Sequence, residues 1–370
     1  MSIDSHRLEV LSRVVQGIRM PGEPLHETVC KTTPHMRPQV MSLGLQLALQ
    51  QWDSAGIARL CEEESPHLSS AIVPRTVGVV LGGVLPPSHI QAMAYPYLLG
   101  ARLVVRASGS DRVFPTLFAE ALGSSIDFVD RSEWDDRLTE FDAVVAVGSD
   151  ESVRAVRDSI RVDCPVLAFG HRTAIAIVNG AQWNEETVEA GATDVTIFDQ
   201  LGCLSPREIF LVGSRTQAED YVGQLAERFE RLVPRHSLGF GVESAIRDQV
   251  DLARLNGEWV AGPDDLSWGV RLTDGVGWTG TPGGRHVIVR RLETLESLSS
   301  ALLPVRGYLS AVSLDGYDRS SLREPLIRAG ASRIVEGGNL QNAPPRWPHD
   351  GRRPLASLCR WCETEMDDDG

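Results

Sequence analysis

The sequence predicts an α/β protein: a doubly wound parallel sheet followed by a second α/β unit. Three observations carry this. Five short runs dominated by apolar residues recur between residues 77 and 169, separated by helix-length or turn-rich stretches. A second alternation of strand-like and helix-like patterns begins near Thr173. The chain's 370 residues are enough to bury two cores.

Residues 1 to about 70 read as mixed and helical, broken by Pro21, Pro24, Pro34 and Pro38. Glu62-Glu63-Glu64 reads as a solvated helix end. Val77–Leu81 is a buried strand, and Gly82-Gly83-Val84-Leu85-Pro86-Pro87 turns the chain into a helix from His89 to Leu99, ended by Gly100. Arg102–Arg106 is a second strand. A helix covers Val113 to Leu122, and strands follow at Ile126–Val129 and Ala143–Val147. Val153, Val156 and Ile160 share one helical face, and Val166–Phe169 is a fifth strand. Sheets of this kind bind ligands beyond the carboxyl ends of their strands.

In the second unit, Ala174–Val178 is a strand, and Asn184 caps a helix carrying Val188, Ala192 and Val195. After the strand Glu208–Val212, Thr216-x-x-Glu219 fits a capping box ahead of Val222, Leu225, Phe229 and Leu232. Residues 256–290 are rich in Gly, Trp and Thr and read as strands and turns. Trp259, Trp268 and Trp278 there read as core or interface residues. The tail Met366–Gly370 is expected to be disordered.

The net charge of −14 argues against a nucleic-acid or anionic-membrane surface. Lys31 is the sole lysine, which excludes Schiff-base chemistry and a Walker lysine. Any phosphate contact therefore falls to arginine, hydroxyls or backbone amides. No apolar run is long enough to span a bilayer, and Met1–His6 lacks a signal-peptide pattern, so a cytoplasmic protein is expected. The six cysteines are expected to be reduced thiols. Cys359-x-x-Cys362 shares a helical face with Leu355 and Leu358 and reads as core. With no second pair to complete a zinc site, no metal is expected. No GxGxxG, GxSxG, HExxH or Walker sequence is present.

The residue with the plainest chemistry is Cys203, in Phe198-Asp199-Gln200-Leu201-Gly202-Cys203-Leu204-Ser205-Pro206-Arg207. It follows a helix-like segment and precedes a strand. A thiol in such a loop can share one short segment with the N–H groups of an oxyanion hole.

This segment resembles the nucleophile segment of LuxC-type acyl-CoA reductases, a branch of the aldehyde dehydrogenase superfamily. Gly148-Ser149-Asp150-Glu151-Ser152-Val153 resembles that family's strand-to-helix turn, and Gly170-His171-Arg172 its GHR segment. Pro304-Val305-Arg306-Gly307-Tyr308-Leu309 and Trp347-Pro348-His349-Asp350-Gly351 resemble its later landmarks. The likeness covers roughly residues 75 to 365.

The resemblance implies an aldehyde dehydrogenase-like fold. Residues 1–172 would hold an N-terminal region and the NAD(P)-binding domain. Residues 173–330 would form the catalytic domain, and 331–370 would complete the site or an oligomer contact. It implies NADPH- or NADH-dependent reduction of an acyl thioester, carried by coenzyme A or an acyl carrier protein, to an aldehyde. The path runs through an acyl-cysteine on Cys203, in a homo-oligomer. Arg106 falls where the wider superfamily commonly has a lysine near the adenosine ribose, which favours NADPH. Gly82, Ser108, Gly148 and Ser149 complete the expected cofactor contacts, although Asp150 opposes phosphate and plain turn chemistry is the rival there.

His171 is read either as a proton relay or as a hydrogen-bonded histidine at a strand end. Arg172 either binds phosphate or pairs with an acid. His349 and Asp350 either orient the substrate or clasp a loop. The superfamily's water-activating glutamate would fall near Ala168 and is absent, which favours reduction over hydrolysis. The family's asparagine near the first turn is not evident in Pro86-Pro87-Ser88-His89, nor is its Glu-x-Phe near Arg285 to Leu292. The chain is short for the family, mostly at its N-terminus, and a different acyl pocket is expected. Two other readings stay open: a thiol acyltransferase or thioesterase without hydride transfer, and a non-catalytic partner of an acyl-processing enzyme.

Overall fold

Uninterrupted apolar sequence becomes central strand here because both faces of each sheet are covered by helices. The computed structural model describes residues 3–33, 36–108, 112–124 and 126–363, so Pro34 and the tail 366–370 lie outside the described residues. The chain divides into two units. The first comprises Met1–Thr32, Leu49–Gly170 and Pro344–Gly370; the second comprises Thr33–Ala48 and His171–Ala343.

Four helices open the chain: α1 (Ser5–Arg19), α2 (Pro24–Thr32), α3 (Pro38–Ala48) and α4 (Ser54–Leu68). The prolines that read as breaks are starts: Pro24 and Pro38 are the first residues of α2 and α3, where the missing N–H costs nothing. Of these helices, α3 belongs to the second unit. Glu64 corrects the reading of Glu62–Glu64 as solvated. Its carboxylate is buried, accepts the N–H of Ala356 at 2.8 Å and pairs with Arg353.

The first sheet contains β1 (Thr76–Leu81), β2 (Arg102–Ala107), β3 (Ile126–Phe128), β4 (Ala143–Val147) and β5 (Val166–Phe169), all parallel, in the order β3-β2-β1-β4-β5. Between them run α5 (Pro86–Leu98), α6 (Val113–Leu122), α7 (Arg131–Asp136) and α8 (Asp150–Ser159). Helix α5 begins three residues before His89 because two prolines pre-set its first turn. Trp134, Phe141, Val144, Val153 and Val156 pack one face of the sheet.

The second sheet has β6 (Thr173–Asn179), β7 (Pro206–Val212), β8 (Trp259–Ala261), β9 (Gly269–Asp274), β10 (His286–Leu292), β11 (Leu309–Asp315) and β12 (Arg333–Glu336). Their order is β12-β11-β6-β7-β10-β9-β8, and only β8 runs antiparallel, against β9. Helices α9 (Glu185–Thr196), α10 (Arg215–Phe229), α11 (Phe240–Leu255), α12 (Ser297–Ala301) and α13 (Arg319–Ala329) complete the unit. Val188, Val195, Tyr221, Leu225 and Phe229 cover one face of the sheet. Leu298, Leu302, Leu322 and Leu326 cover the other. Trp268 is core, with Trp259 and Trp278 packed at its margins.

Asn184 caps α9 as read, with Thr187 returning the bond. The capping box of α10 is Ser214 with Gln217, two residues before the one expected at Thr216 and Glu219. The C-terminal cysteines also differ from expectation. Only Ala356–Leu358 forms a single 3-10 turn, so Cys359 is buried while Cys362 is exposed.

At the end of β11, Asp315 is pushed up to about 6, chiefly by burial and then by neighbouring Glu336. Its carboxyl holds a proton more readily folded than unfolded. The stability it contributes is therefore complete below about pH 4 and is lost as pH rises through about 6. Asp315→Asn keeps an acceptor for the Gly337 N–H and removes the charge. It is expected to be more stable than the parent by ~1–2 kcal/mol above pH 6, after allowance for solvent screening, with the gap closing by pH 4. Paired denaturant melts at the two pH values check this; equal stability at pH 7 refutes it.

Candidate active site

Cys203 is the exposed residue of an otherwise enclosed run from Phe198 to Pro206. That presentation depends on an unusual backbone. Phe198, Asp199 and Gln200 all have left-handed φ, at 55°, 53° and 61°. Such a conformation costs about 1–2 kcal/mol for each L-residue, so the turn needs support from outside itself.

Three contacts supply it. Phe198 is buried against Gly44 of α3, where any Cβ would overlap its ring. The carboxylate of Asp199 accepts from Arg285 Nε at 2.7 Å and Nη2 at 2.5 Å, both side chains being buried. Arg285 Nη1 also donates to the Val233 carbonyl. The Gln200 amide donates to the Pro206 carbonyl at 2.8 Å and accepts the His286 N–H at 2.8 Å, which ties both ends of the turn to the start of β10. Two residues past the cysteine, Ser205 Oγ accepts from Gln341 Nε2 at 2.9 Å. The sequence reading had missed Asp199, Gln200, Arg285 and Gln341. The one hint was polar residues inside a mostly apolar stretch, and an arginine directly after Gly283-Gly284.

Burial separates Cys203 from four of the other thiols. Cys30, Cys61, Cys164 and Cys359 are each pushed up to about 11, with desolvation the largest cause. Their thiolates are scarce at neutral pH.

His171 and Arg172 lie immediately before β6, as Cys203 lies just before β7. Those strands are parallel neighbours with Ala174 opposite Pro206, so both turns leave the amino edge of the second sheet. His171 is exposed, its ring 6.4 Å from that of Tyr308, and its carbonyl accepts from Arg172 Nη1. Ala168 is a core residue of β5 in the first unit.

In the first unit, the expected cofactor residues except Arg106 follow the carboxyl ends of their strands. Strand order reverses direction between β1 and β4, the kind of switch point at which such sheets bind ligands. Gly82 follows β1 and Gly148 follows β4. The Gly82 N–H donates to the Val147 carbonyl at 2.7 Å, and a Cβ on Gly82 would stand 2.8 Å from that oxygen and 3.0 Å from the Gly148 Cα. Ser108 follows β2, its N–H on the Leu81 carbonyl. His89 is buried beside the Gly82-Gly83 backbone, and burial pushes it down to about 4, so it is neutral.

These residues fit a dinucleotide unevenly. The glycine turn leads into α5, whose first turn carries no acid, so the positive end of its dipole is open to an anion. At α8, Ser149 is the N-cap and accepts the Ser152 N–H, and Asp150 and Glu151 fill the first turn. That second position disfavours phosphate. Arg106 lies on β2 with its guanidinium 5.2 Å from the Trp134 ring centroid; burial, then Arg131, holds its pKa below the usual arginine value.

His349 is buried, with Phe169 stacked at 4.3 Å and Trp347 at 4.1 Å. Its Nδ1 meets Gln91 Oε1 at 3.1 Å. Gln91 Nε2 donates to the Tyr95 hydroxyl, which donates to the Pro345 carbonyl. Asp350 has a left-handed φ of 53° and lies 3.9 Å from His349 Nε2. Gln91 and Tyr95 were not singled out from the sequence. Among the described residues no His, Cys, Asp or Glu cluster has metal-binding geometry, and no helix is long and apolar enough to cross a membrane.

Comparison with known proteins follows the same lines. Residues 69–361 match the family model described as acyl-CoA reductase (LuxC). The long-chain acyl-protein thioester reductase of Aliivibrio fischeri is 23% identical over 316 residues, covering 79% of this chain and 64% of that protein. That of Vibrio harveyi is 24% identical over 312 residues, covering 77% and 63%. The chain thus spans less than two thirds of these curated relatives. An oxidoreductase from Marinobacter aquaeolei superposes with a TM-score of 0.76 at 12% identity, covering 96% of this chain and 84% of that one. A putative methylmalonate-semialdehyde dehydrogenase from Sinorhizobium meliloti 1021, complexed with NAD, gives 0.71 at 14% identity, covering 98% and 87%. A putative aldehyde dehydrogenase from Anabaena variabilis gives 0.70 at 16%, covering 99% and 90%. The fold is therefore aldehyde dehydrogenase-like. Because the family match runs through both sheets and the Cys203 turn, the chain belongs to the LuxC acyl-CoA reductase family.

Proposed function

We propose that this protein reduces an acyl thioester to an aldehyde through an acyl-cysteine on Cys203. The observation that carries the reading is the clamped left-handed turn that leaves Cys203 exposed. A turn so costly is retained where its geometry is used.

In this reading the Cys203 thiolate attacks the thioester carbonyl carbon. A new S–C bond forms, and the carrier's S–C bond breaks as its thiolate leaves and takes up a proton. The carbonyl oxygen carries the negative charge in between, and in this reading the Cys203 N–H donates to it; one such donor is worth about 2.7–4 kcal/mol. His171, exposed at the same sheet edge, supplies the proton to the leaving thiol. A reduced nicotinamide, when bound, would supply hydride to the acyl carbon; the bond from that carbon to Cys203 Sγ then breaks, which releases the aldehyde and returns the thiolate. Gly82 and Gly83, at the start of α5, would hold it, with Ser108, Gly148 and Ser149 on the same edge. Arg106 is the basic group for a 2′-phosphate, which makes NADPH the preferred form and NADH the lesser one.

His349 and Asp350 form the substrate side of the first unit's edge, held by the Gln91–Tyr95 chain. The absence of an acid at Ala168 supports reduction over hydrolysis, because no side chain there activates water. The relatives, named long-chain acyl-protein thioester reductases, support a long-chain acyl group on a protein carrier, with acyl-CoA as the alternative. We further propose a cytoplasmic homo-oligomer.

Cofactor oxidation and intact mass, followed together with acyl-CoA and acyl carrier protein substrates, test the reaction. Acyl loading without NADPH and aldehyde release with it are expected. Cys203→Ala should lose both, with turnover down at least about 1,000-fold; unchanged turnover refutes the assignment. Arg106→Gln should raise KM for NADPH about tenfold and leave KM for NADH nearly unchanged; equal changes would remove Arg106 from the phosphate. Asp199→Ala leaves Arg285 buried and unpaired, so it should lower stability by about 3–5 kcal/mol and activity with it. A stable, fully active variant would show that the turn needs no clamp.

A further inference from the structure

Four residues past the proposed nucleophile stands a guanidinium that the reaction has not yet used. Arg207 lies in β7, directly after Pro206, and most of its charged end is enclosed. Its Nη1 is buried and makes no hydrogen bond among the described residues. That nitrogen presses against Gly283, where a Cβ would overlap it and would also come 3.3 Å from the Gln200 carbonyl. The guanidinium is thus packed against Gly283 and beside the Gln200 carbonyl, inside the clamp that shapes the turn and four residues along the chain from Cys203.

The buried acids at this edge are matched, and buried His286 is neutral. Asp199 is bound to Arg285. Glu208 is held by Arg290 at 2.7 Å and by the N–H groups of Thr279 and Gly280. His286 is pushed down to about 4 by burial and faces the Leu266 carbonyl. His171 and Arg172 stand before β6, the latter on the His171 carbonyl. Arg235 donates to the Ser267 and Leu266 carbonyls and pairs with Glu243. A buried cation without a counter-ion is unfavourable, and burial is what draws Arg207 below the ordinary arginine value; ionised Cys203 is the group that offsets this.

We propose that Arg207 is the counter-charge that holds Cys203 as a thiolate at neutral pH, so that the resting nucleophile needs no general base. The proton is lost to bulk water before substrate arrives. Arg207 acts through the sulfur and is a positioning residue. The inference rests on the reading of Cys203 as nucleophile and answers how that thiol is ionised.

The test is alkylation of the full chain by iodoacetamide from about pH 5 to 10, without substrate or cofactor, followed at the Cys203 peptide by mass spectrometry. The exposed Cys362 peptide is the internal control. In the parent protein the Cys203 midpoint should fall at least one pH unit below the ordinary thiol value of about 8.5. Arg207→Lys should keep most of that shift. Arg207→Gln should raise the midpoint by about a unit, slowing alkylation roughly tenfold at pH 6.5. A parent midpoint at or above 8.5, or an Arg207→Gln midpoint equal to the parent's, overturns the proposal. The parent measurement decides even if Arg207→Gln does not fold. A protein with a low thiol midpoint and no acyl loading would count against the reductase reading alone; one that loads acyl groups through an ordinary thiol would count against Arg207 alone.

Discussion

The buried pair of Asp199 and Arg285 is the contact on which the Cys203 turn depends. It joins two strained backbones: Asp199 lies at the centre of three left-handed residues, and Arg285, also left-handed at 66°, follows Gly283 and Gly284. A buried ion pair is a poor source of net stability, but losing one partner strands the other in an apolar setting. The pair therefore works as a specification. It admits one arrangement of the turn, and Gln200 reinforces the same arrangement by bonding to Pro206 and to His286. The outcome is a thiol presented to solvent from a segment whose neighbours are almost all enclosed.

That specification was the least legible part of the chain, for a physical reason. Left-handed turns are read chiefly from glycine or asparagine, and Phe-Asp-Gln offers only the weaker signal of Asp199. The conformation is imposed by an arginine 86 residues away. Glu64 is similar: its partner lies 292 residues on, so a local reading could only call it solvated. Elements stabilised by their own sequence were read well. Val77–Leu81 and Ala143–Val147 are apolar throughout because both faces are covered, and α6 begins and ends where its sequence says. Asn184 was a legible cap. Thr216 was misread because Ser214-x-x-Gln217 offers the same chemistry two residues earlier. The exposed loop position of Cys203 was legible from its surrounding sequence, but the residues that hold the turn were not.

The two sheets use opposite edges. In the first, the glycines fall at the carboxyl edge, at the switch point and close to the start of α5, where peptide dipoles favour an anion. In the second, Cys203 and His171 fall at the amino edge. There the preceding helix is α9, and the chain enters the cysteine turn from that helix's C-terminal end.

This geometry constrains the chemistry. The C-terminal end of a helix carries the negative end of its dipole, which disfavours a thiolate nearby. Cysteines activated at helix N-termini draw on the positive end; this one has no such help from α9. If the turn is to hold a thiolate, the positive charge must come from a side chain. His171 is exposed and its charge would be screened by water. Arg285 and Arg290 are committed to Asp199 and Glu208. Arg207 is enclosed, uncommitted among the described residues, and built into the strand that the cysteine turn enters. On the proposed reading the strain in the turn and the enclosed charge of Arg207 serve one purpose: the first presents the sulfur, and the second ionises it.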